Sequence, residues 1–333
     1  MTEAPATTGA IAVDEPDPRR DLGRAERLST ALVFGTVALA VIVAVALTPN
    51  FLSVDNVRAI LRNASIVGIV AVAMTPITLS GNFISLGTQQ SAMAGTVVFV
   101  ALVGTGWPPA LAILVVLVAL VLVGVLQGVV VAAGLNPVIT TLAAGAIIFG
   151  IVADATNGQI VSVRNHPVSW GNSTIAGIPL EVLVFALFTL AVGIFMTRTV
   201  AGREMTLAGA NKDTAEVSGI SSRQVTVGAF VIFSVGLAVA GVLTGAGFGQ
   251  ATIQSLSSLT VDALAAILVG GTAIAGGYGS PWRSAAGAVL IAVISNVMVL
   301  NDFSTGGRLA VQGAVVVVVV VLLEFLRRRR EVR

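Results

Sequence analysis

The chain has no cysteine, a single histidine and a single lysine, and only 10% of its 333 residues are charged. Without cysteine there is neither a disulfide nor a thiolate metal site, and His166 cannot build a metal cluster by itself. The one lysine, Lys212, sits in Ala210-Asn211-Lys212-Asp213, which does not fit a Walker A loop, where a lysine follows glycine and precedes Ser or Thr. No Gly-x-Ser-x-Gly elbow is present either. Redox, zinc, ATP-hydrolysing and serine-hydrolase chemistry therefore fall away for this chain, no cofactor is expected in it, and it is not read as an enzyme.

What is present is oil. Hydrophobic residues make up 56% of the chain and the mean hydropathy is +0.99, whereas a soluble domain has about a quarter of its residues charged. The apolar stretches run to about 20 residues, the length of an α-helix crossing ~30 Å of hydrocarbon, and do not alternate as barrel strands do. An all-α polytopic membrane protein follows.

Residues 1–28 lack apolar periodicity and read as a disordered tail ending in Arg19, Arg20, Arg24 and Arg27. A membrane domain over 29–326 follows, then a basic tail at 327–333. The first span is Ser29 to Thr48, too long an apolar run for a signal peptide despite Ala44-Val-Ala46. After a semi-polar connector, Phe51 to Asn63, come Ser65 to Leu79 and Leu86 to Val103, split by Ser80-Gly81-Asn82. Then follow Pro108 to Ala132, Pro137 to Asp154, Leu180 to Thr197, Thr226 to Phe248, Leu259 to Ala275, Ser284 to Leu300 and Arg308 to Phe325, giving about ten transmembrane helices.

Cytoplasmic loops carry an excess of Lys and Arg. With both termini cytoplasmic, the two terminal clusters, Arg198, Arg203, Lys212, Arg223 and Arg283 fall inside, and Arg58, Arg62, Arg164 and Arg308 fall outside. An odd span count would separate the clusters. Asp154, Glu181, Asp262 and Glu324 all lie near span ends and read as interfacial charges reaching water, so an ion-coupled relay has little support. Glycine clusters, Gly241 to Gly249 and Gly270 to Gly279, serve helix packing within one subunit or else a subunit seam or moving gate. Gly277-Tyr278-Gly279-Ser280-Pro281-Trp282 marks a turn.

One polar island interrupts the oil between Gly202 and Val225. It carries Arg203, Glu204, Lys212, Asp213, Glu216 and Arg223. A solvated loop is one reading. The other is a short helix around Thr214 to Val217, capped by Asn211 or Asp213 and closed by a left-handed Gly219, which suits insertion into a groove on a partner.

Gly209-Ala210-Asn211, Ala215 and Ser218-Gly219-Ile220 resemble the cytoplasmic loop of the ribose-type sugar permeases of binding-protein-dependent ABC importers. Asn136-Pro137-Val-Ile-Thr-Thr141-Leu142, Gly177-Ile-Pro179, Asp262-Ala-Leu-Ala265-Ala266, Gly270-Gly271, Gly276-Gly277 and Asn296 resemble that family in the same order, from about Phe51 to the end. The resemblance implies a type II-like ABC importer permease in the bacterial plasma membrane, paired with a second copy of itself and with no nucleic-acid partner. It further implies an extracytoplasmic substrate-binding protein and a cytoplasmic ABC ATPase, separate or a tandem fused one, that binds ATP and Mg. The coupling segment would be about 199–225, with Gly209, Asn211, Ala215, Glu216, Ser218, Gly219 and Ile220 making the ATPase contact. The family's Gly-Gly-x-Asp-Leu-Ser-x-Gly stretch reads here Ser80-Gly81-Asn82-Phe83-Ile84-Ser85-Leu86-Gly87, with Phe83 at the acidic position. Polar residues deep in lipid face a bundle interior, so Asn82, Ser85, Gln89, Gln90 and Asn296 are candidates for lining a path, or for interhelical hydrogen bonds. Such amide and hydroxyl groups match a neutral sugar-like solute. The competing expectation is a channel or facilitator that needs no ATPase.

Overall fold

A computed structural model describes residues 18–49, 51–163, 168–304, 306–315, 317–318 and 321. His166, Arg164, Glu324, most of the N-terminal tail and the basic C-terminal tail lie outside the described residues.

The described chain is a helical bundle. Helix α1 spans Pro18–Leu47, α2 Val54–Leu79, α3 Thr88–Gly104, α4 Pro109–Ala132, α5 Pro137–Thr156 and α6 Leu180–Arg198. The island contributes α7, Val200–Ala210, and α8, Lys212–Val217. Then come α9, Ser222–Phe248, α10, Leu259–Val269, and α11, Pro281–Leu300, followed by helical turns at 306–315. Two-residue strands form two small antiparallel pairs: β1 (Val161–Ser162) with β4 (Gln250–Ala251), and β2 (Thr174–Ile175) with β3 (Ile178–Pro179).

Among the described residues six helices, α2, α4, α5, α6, α9 and α11, are long and apolar enough to cross a membrane; Val33–Ala46, Thr88–Gly104 and Leu259–Val269 are apolar but shorter. The structure departs from the expected boundaries in three places. Helix α1 begins at Pro18 rather than Ser29. The connector Phe51 to Asn63 is mostly the first part of α2, because Ser53 caps that helix by accepting from the Asn56 N–H and the apolar spacing then continues unbroken. Helix α10 stops at Val269 instead of Ala275, since Gly270, Gly271, Gly276 and Gly277 offer no side chain to hold a helix there and three of them adopt positive φ.

Helices α2 and α9 form the core. Gly236 of α9 lies so close to Ala73 of α2 that a Cβ would overlap it. Gly241 packs on Ala92 to Thr96 of α3 and Gly245 on Thr96 to Val100, so α3 and α9 run side by side in the same direction. That register places the first residue of α3 level with the middle of α9. Close approach of this kind is what small residues provide where hydrocarbon cannot drive helices together.

Candidate functional site

Helix α7 is anchored before it reaches the island. Thr199 caps it, accepting from the Gly202 N–H at 3.1 Å, and Gly202, Met205 and Ala208 form its buried face. Asn211 ends α7 and caps α8, accepting from the Thr214 N–H at 3.0 Å. Gly219 closes α8 with φ +85° and open space around it, while the Ile220 N–H donates to the Ala215 carbonyl at 3.0 Å. The capped helix read from the sequence is therefore present, but an eleven-residue helix precedes it where only small residues had been noted.

The island residues divide by face. Gly209 is half-buried in a joint described below, Ala215 is buried, and Ile220 packs against the core. Asn211, Glu216, Ser218 and Gly219 are exposed, with the Glu216 carboxylate held by the Ser222 hydroxyl at 2.7 Å. Sequence reasoning missed Val217, which is 91% exposed at the tip of α8. Its signal was its place two residues after the inward Ala215, on the opposite side of a helical turn.

The joint connects the island to the break between α2 and α3. A Cβ on Gly209 would overlap the Leu79 carbonyl oxygen and lie 2.8 Å from the backbone nitrogens of Gly81 and Gly277. One on Gly276 would lie 2.7 Å from the Gly81 Cα, and one on Gly277 2.6 Å from the Ala210 Cα. The Gly277 N–H donates to the Leu79 carbonyl at 3.1 Å. Three separate stretches thus touch through bare backbone, and Gly81, Gly276 and Gly277 hold φ of +77°, +95° and +71°, which L side chains rarely adopt.

Beyond the joint, the Asn82 amide donates to Thr226 Oγ1 at 3.2 Å and Ser80 Oγ at 3.0 Å, which ties the break to the start of α9. Ser85 is buried. The Gln89 N–H donates to Thr260 Oγ1 of α10 at 3.0 Å, and Gln90 Oε1 is buried without a hydrogen-bond partner. Asn82, Ser85, Gln89 and Gln90 follow one another along this break. Asn296 does not join them. It exchanges two amide hydrogen bonds, 2.8 and 3.1 Å, with Asn56 at the other end of α2, roughly 35 Å away at 1.5 Å per residue.

Two carboxylates expected to reach water are buried instead, each beside an arginine. Glu181 is 4% exposed and 3.7 Å from Arg62; Asp262 is enclosed with Ser258, Gln312 and Arg308 around it. Arg283, counted among the cytoplasmic-side arginines, is 2% exposed, donates to the Tyr278 hydroxyl at 3.0 Å and lies 4.6 Å from that ring's centroid. Asp154 is exposed as expected.

Residues 56–320 match the family model described as the branched-chain amino acid transport system / permease component. The chain belongs to that permease family. This permease is 29% identical over 299 residues to the ribose import permease protein of Haemophilus influenzae, covering 87% of this chain and 92% of the relative. It is 28% identical to the xylose transport system permease protein of Escherichia coli K12, over 80% and 84% of the two chains. A probable ABC transporter permease of Sinorhizobium fredii is 27% identical over 99% of this permease and 98% of its own length. No solved structure matches it. Six candidate spans among the described residues, together with this membership, make it a multi-pass plasma membrane protein.

Proposed function

We propose that this permease forms the translocation path of an ATP-driven ABC importer for a small neutral solute, a sugar or sugar-like polyol. It acts as a homodimer of ten-span subunits with both termini cytoplasmic, so the island lies in the cytoplasm. There α8, with Val217 at its tip and Asn211, Glu216, Ser218, Gly219 and Ile220 shaping it, docks on an ATPase subunit that binds ATP and Mg. A substrate-binding protein delivers solute to the opposite end. Ser85, Gln89 and Gln90 line the path, Asn82 fixes its inner margin, and Asn296 acts structurally with Asn56.

The observation that carries this reading is the joint. A docking helix in water would have no purchase on the membrane interior through flexible side chains, but Gly209 abuts Leu79 and Gly81 by backbone, directly at the start of the broken span. Motion of α8 is thereby handed to the segment bearing Ser85 and Gln89. The ribose and xylose permeases among its relatives and the neutral amide and hydroxyl groups along the break support a sugar over a charged solute. An anion would call for a buried cation or helix N-terminus aimed at it.

Reconstitution tests the reading. In liposomes, the purified permease alone should show no uptake of ribose or xylose, and adding the ATPase, ATP and binding protein should produce it, undiminished when proton and sodium gradients are collapsed. Uptake by the permease alone would instead establish the facilitator.

A further inference from the structure

The segment between α9 and α10 is not a surface loop. Its start is fixed by the β1–β4 pair, where the Val163 N–H donates to the Gly249 carbonyl and Ser162 packs on Gly104, the last residue of α3. Its end is fixed by Thr260, which accepts from the N–H of Gln89 at the first turn of α3. Residues 251–260 therefore descend roughly 20 Å alongside α3, at 1.5 Å per residue of that helix. They reach the level of the middle of α9, which is the bilayer midplane if α9 spans it.

Over that descent the chain is irregular. Two turns, closed by Ser255 N–H to Thr252 carbonyl at 3.0 Å and Leu259 N–H to Leu256 carbonyl at 2.9 Å, replace helix, and Leu256 holds φ +61°. Ile253 and Leu256 pack against the core. Thr252 and Ser255 spend their hydroxyls inside the turns, accepting from the N–H groups of Gln254 and Thr252. Gln254 and Ser257 are exposed, and among the described residues their side chains have no hydrogen-bond partner.

Backbone without helix at membrane depth is tolerated only where protein buries it or water reaches it, never against lipid. Exposed, unpaired amide and hydroxyl groups on such a segment select water. We infer that Thr252–Ser258 is a re-entrant wall of the outer half of the solute path, with Gln254 and Ser257 as the side chains that meet the solute. Both groups donate and accept hydrogen bonds, which suits a neutral polyhydroxylated molecule. At the midplane this wall meets Gln89 and Gln90, and the stretch from Gly87 back to Gly81 continues the non-helical surface to the joint. The inference rests on the permease reading above and adds the outer half to it.

The absence of native cysteine makes the test direct. In the full transporter, Gln254→Cys and Ser257→Cys should each react with a membrane-impermeant methanethiosulfonate applied from outside. The reaction should block uptake, and saturating ribose or xylose, whichever is transported, should slow it. Leu187→Cys, exposed on the middle of α6, should remain unlabelled as a lipid-facing control. Gln254→Leu should raise the KM for uptake about three- to tenfold, the loss of one or two neutral hydrogen bonds, at unchanged membrane abundance, and Gln254→Asn should restore most of it. Absence of labelling at both positions, disulfide-linked dimers in its place, or labelling that leaves uptake unchanged would each overturn the inference. ATP-independent uptake with this same labelling pattern would sink the importer reading and leave the wall standing.

Discussion

Helices α2 and α5 are both apolar and of membrane-spanning length, yet 78% of the most apolar window of α2 is buried inside the protein against 17% for α5. Hydrophobicity does not explain the difference. The peripheral α4 is more apolar than α2, and α2 carries Ser65, Thr75, Thr78 and Pro76 within its buried length. In a bilayer the oiliest surface faces lipid, and the interior is chosen by small size and by hydrogen bonds that can be satisfied: Thr75 Oγ1 donates to the Ala71 carbonyl and meets Ser284 Oγ of α11 at 2.9 Å. Glycine shows the same contrast. On α9, facing α2, Gly236 has no room for a methyl group, while Gly150 on α5 has nothing within 4 Å.

The largest effect should come from that contrast. Gly236→Val places two branches where Ala73 and Phe188 already sit, an overpacking cost of about 3 kcal/mol or more. Membrane abundance and thermal stability in detergent should collapse, whereas Gly150→Val should match the wild type in both. A comparable loss at Gly150 would show that α5 faces a protein neighbour and would break the comparison.

Next in size is Gly219→Val, which forces a β-branched residue to φ +85° at about 1 to 2 kcal/mol. Space is open there, so abundance should hold while substrate-stimulated ATP hydrolysis and uptake fall together by about tenfold. Gly219→Ala should be milder and Gly219→Asn milder still. Normal uptake by Gly219→Val at equal expression would detach the island from coupling.

The smallest effect sharpens the assignment of Asn296. Asn296→Ala should cost about 1 kcal/mol of stability, read as a modest drop in melting temperature, with no change in solute preference. Asn56→Ala in the same chain should add less than it costs alone, because the pair is already lost and only the Asn56 bond to the Phe51 carbonyl remains to be removed. A changed preference would return Asn296 to the path.

Much of this was legible in residue order. Span starts at Pro108 and Pro137, the turn of Gly277 to Trp282 ahead of the next helix, the break at Gly81 and the caps at Asn211 and Gly219 are local signals, carried by backbone geometry within a few residues. What failed was non-local. Glu181 and Asp262 read as watery because their arginine neighbours, Arg62 and Arg308, are distant in sequence. The joint needed Gly209 to find Leu79 and Gly277, and no spacing rule announces such a meeting. Thr252–Ser258 fell between two expected spans and drew no reading, since only the contact of Thr260 with Gln89 reveals its depth.

The brevity of α10 bears on how the protein is made. Eleven residues of helix reach about 16 Å, half the hydrocarbon thickness, so α10 cannot halt in a bilayer as an independent unit during synthesis. The irregular chain on either side of it and the enclosed guanidinium of Arg283 are equally unwelcome in lipid. This stretch must therefore be delivered into a cradle already assembled from the earlier helices, with α3 waiting to receive Thr260. Ribosomal order, N-terminal helices first, is then a structural requirement of the bundle, and a circular permutant that emerged beginning near Leu259 would leave its first segment with nowhere to settle.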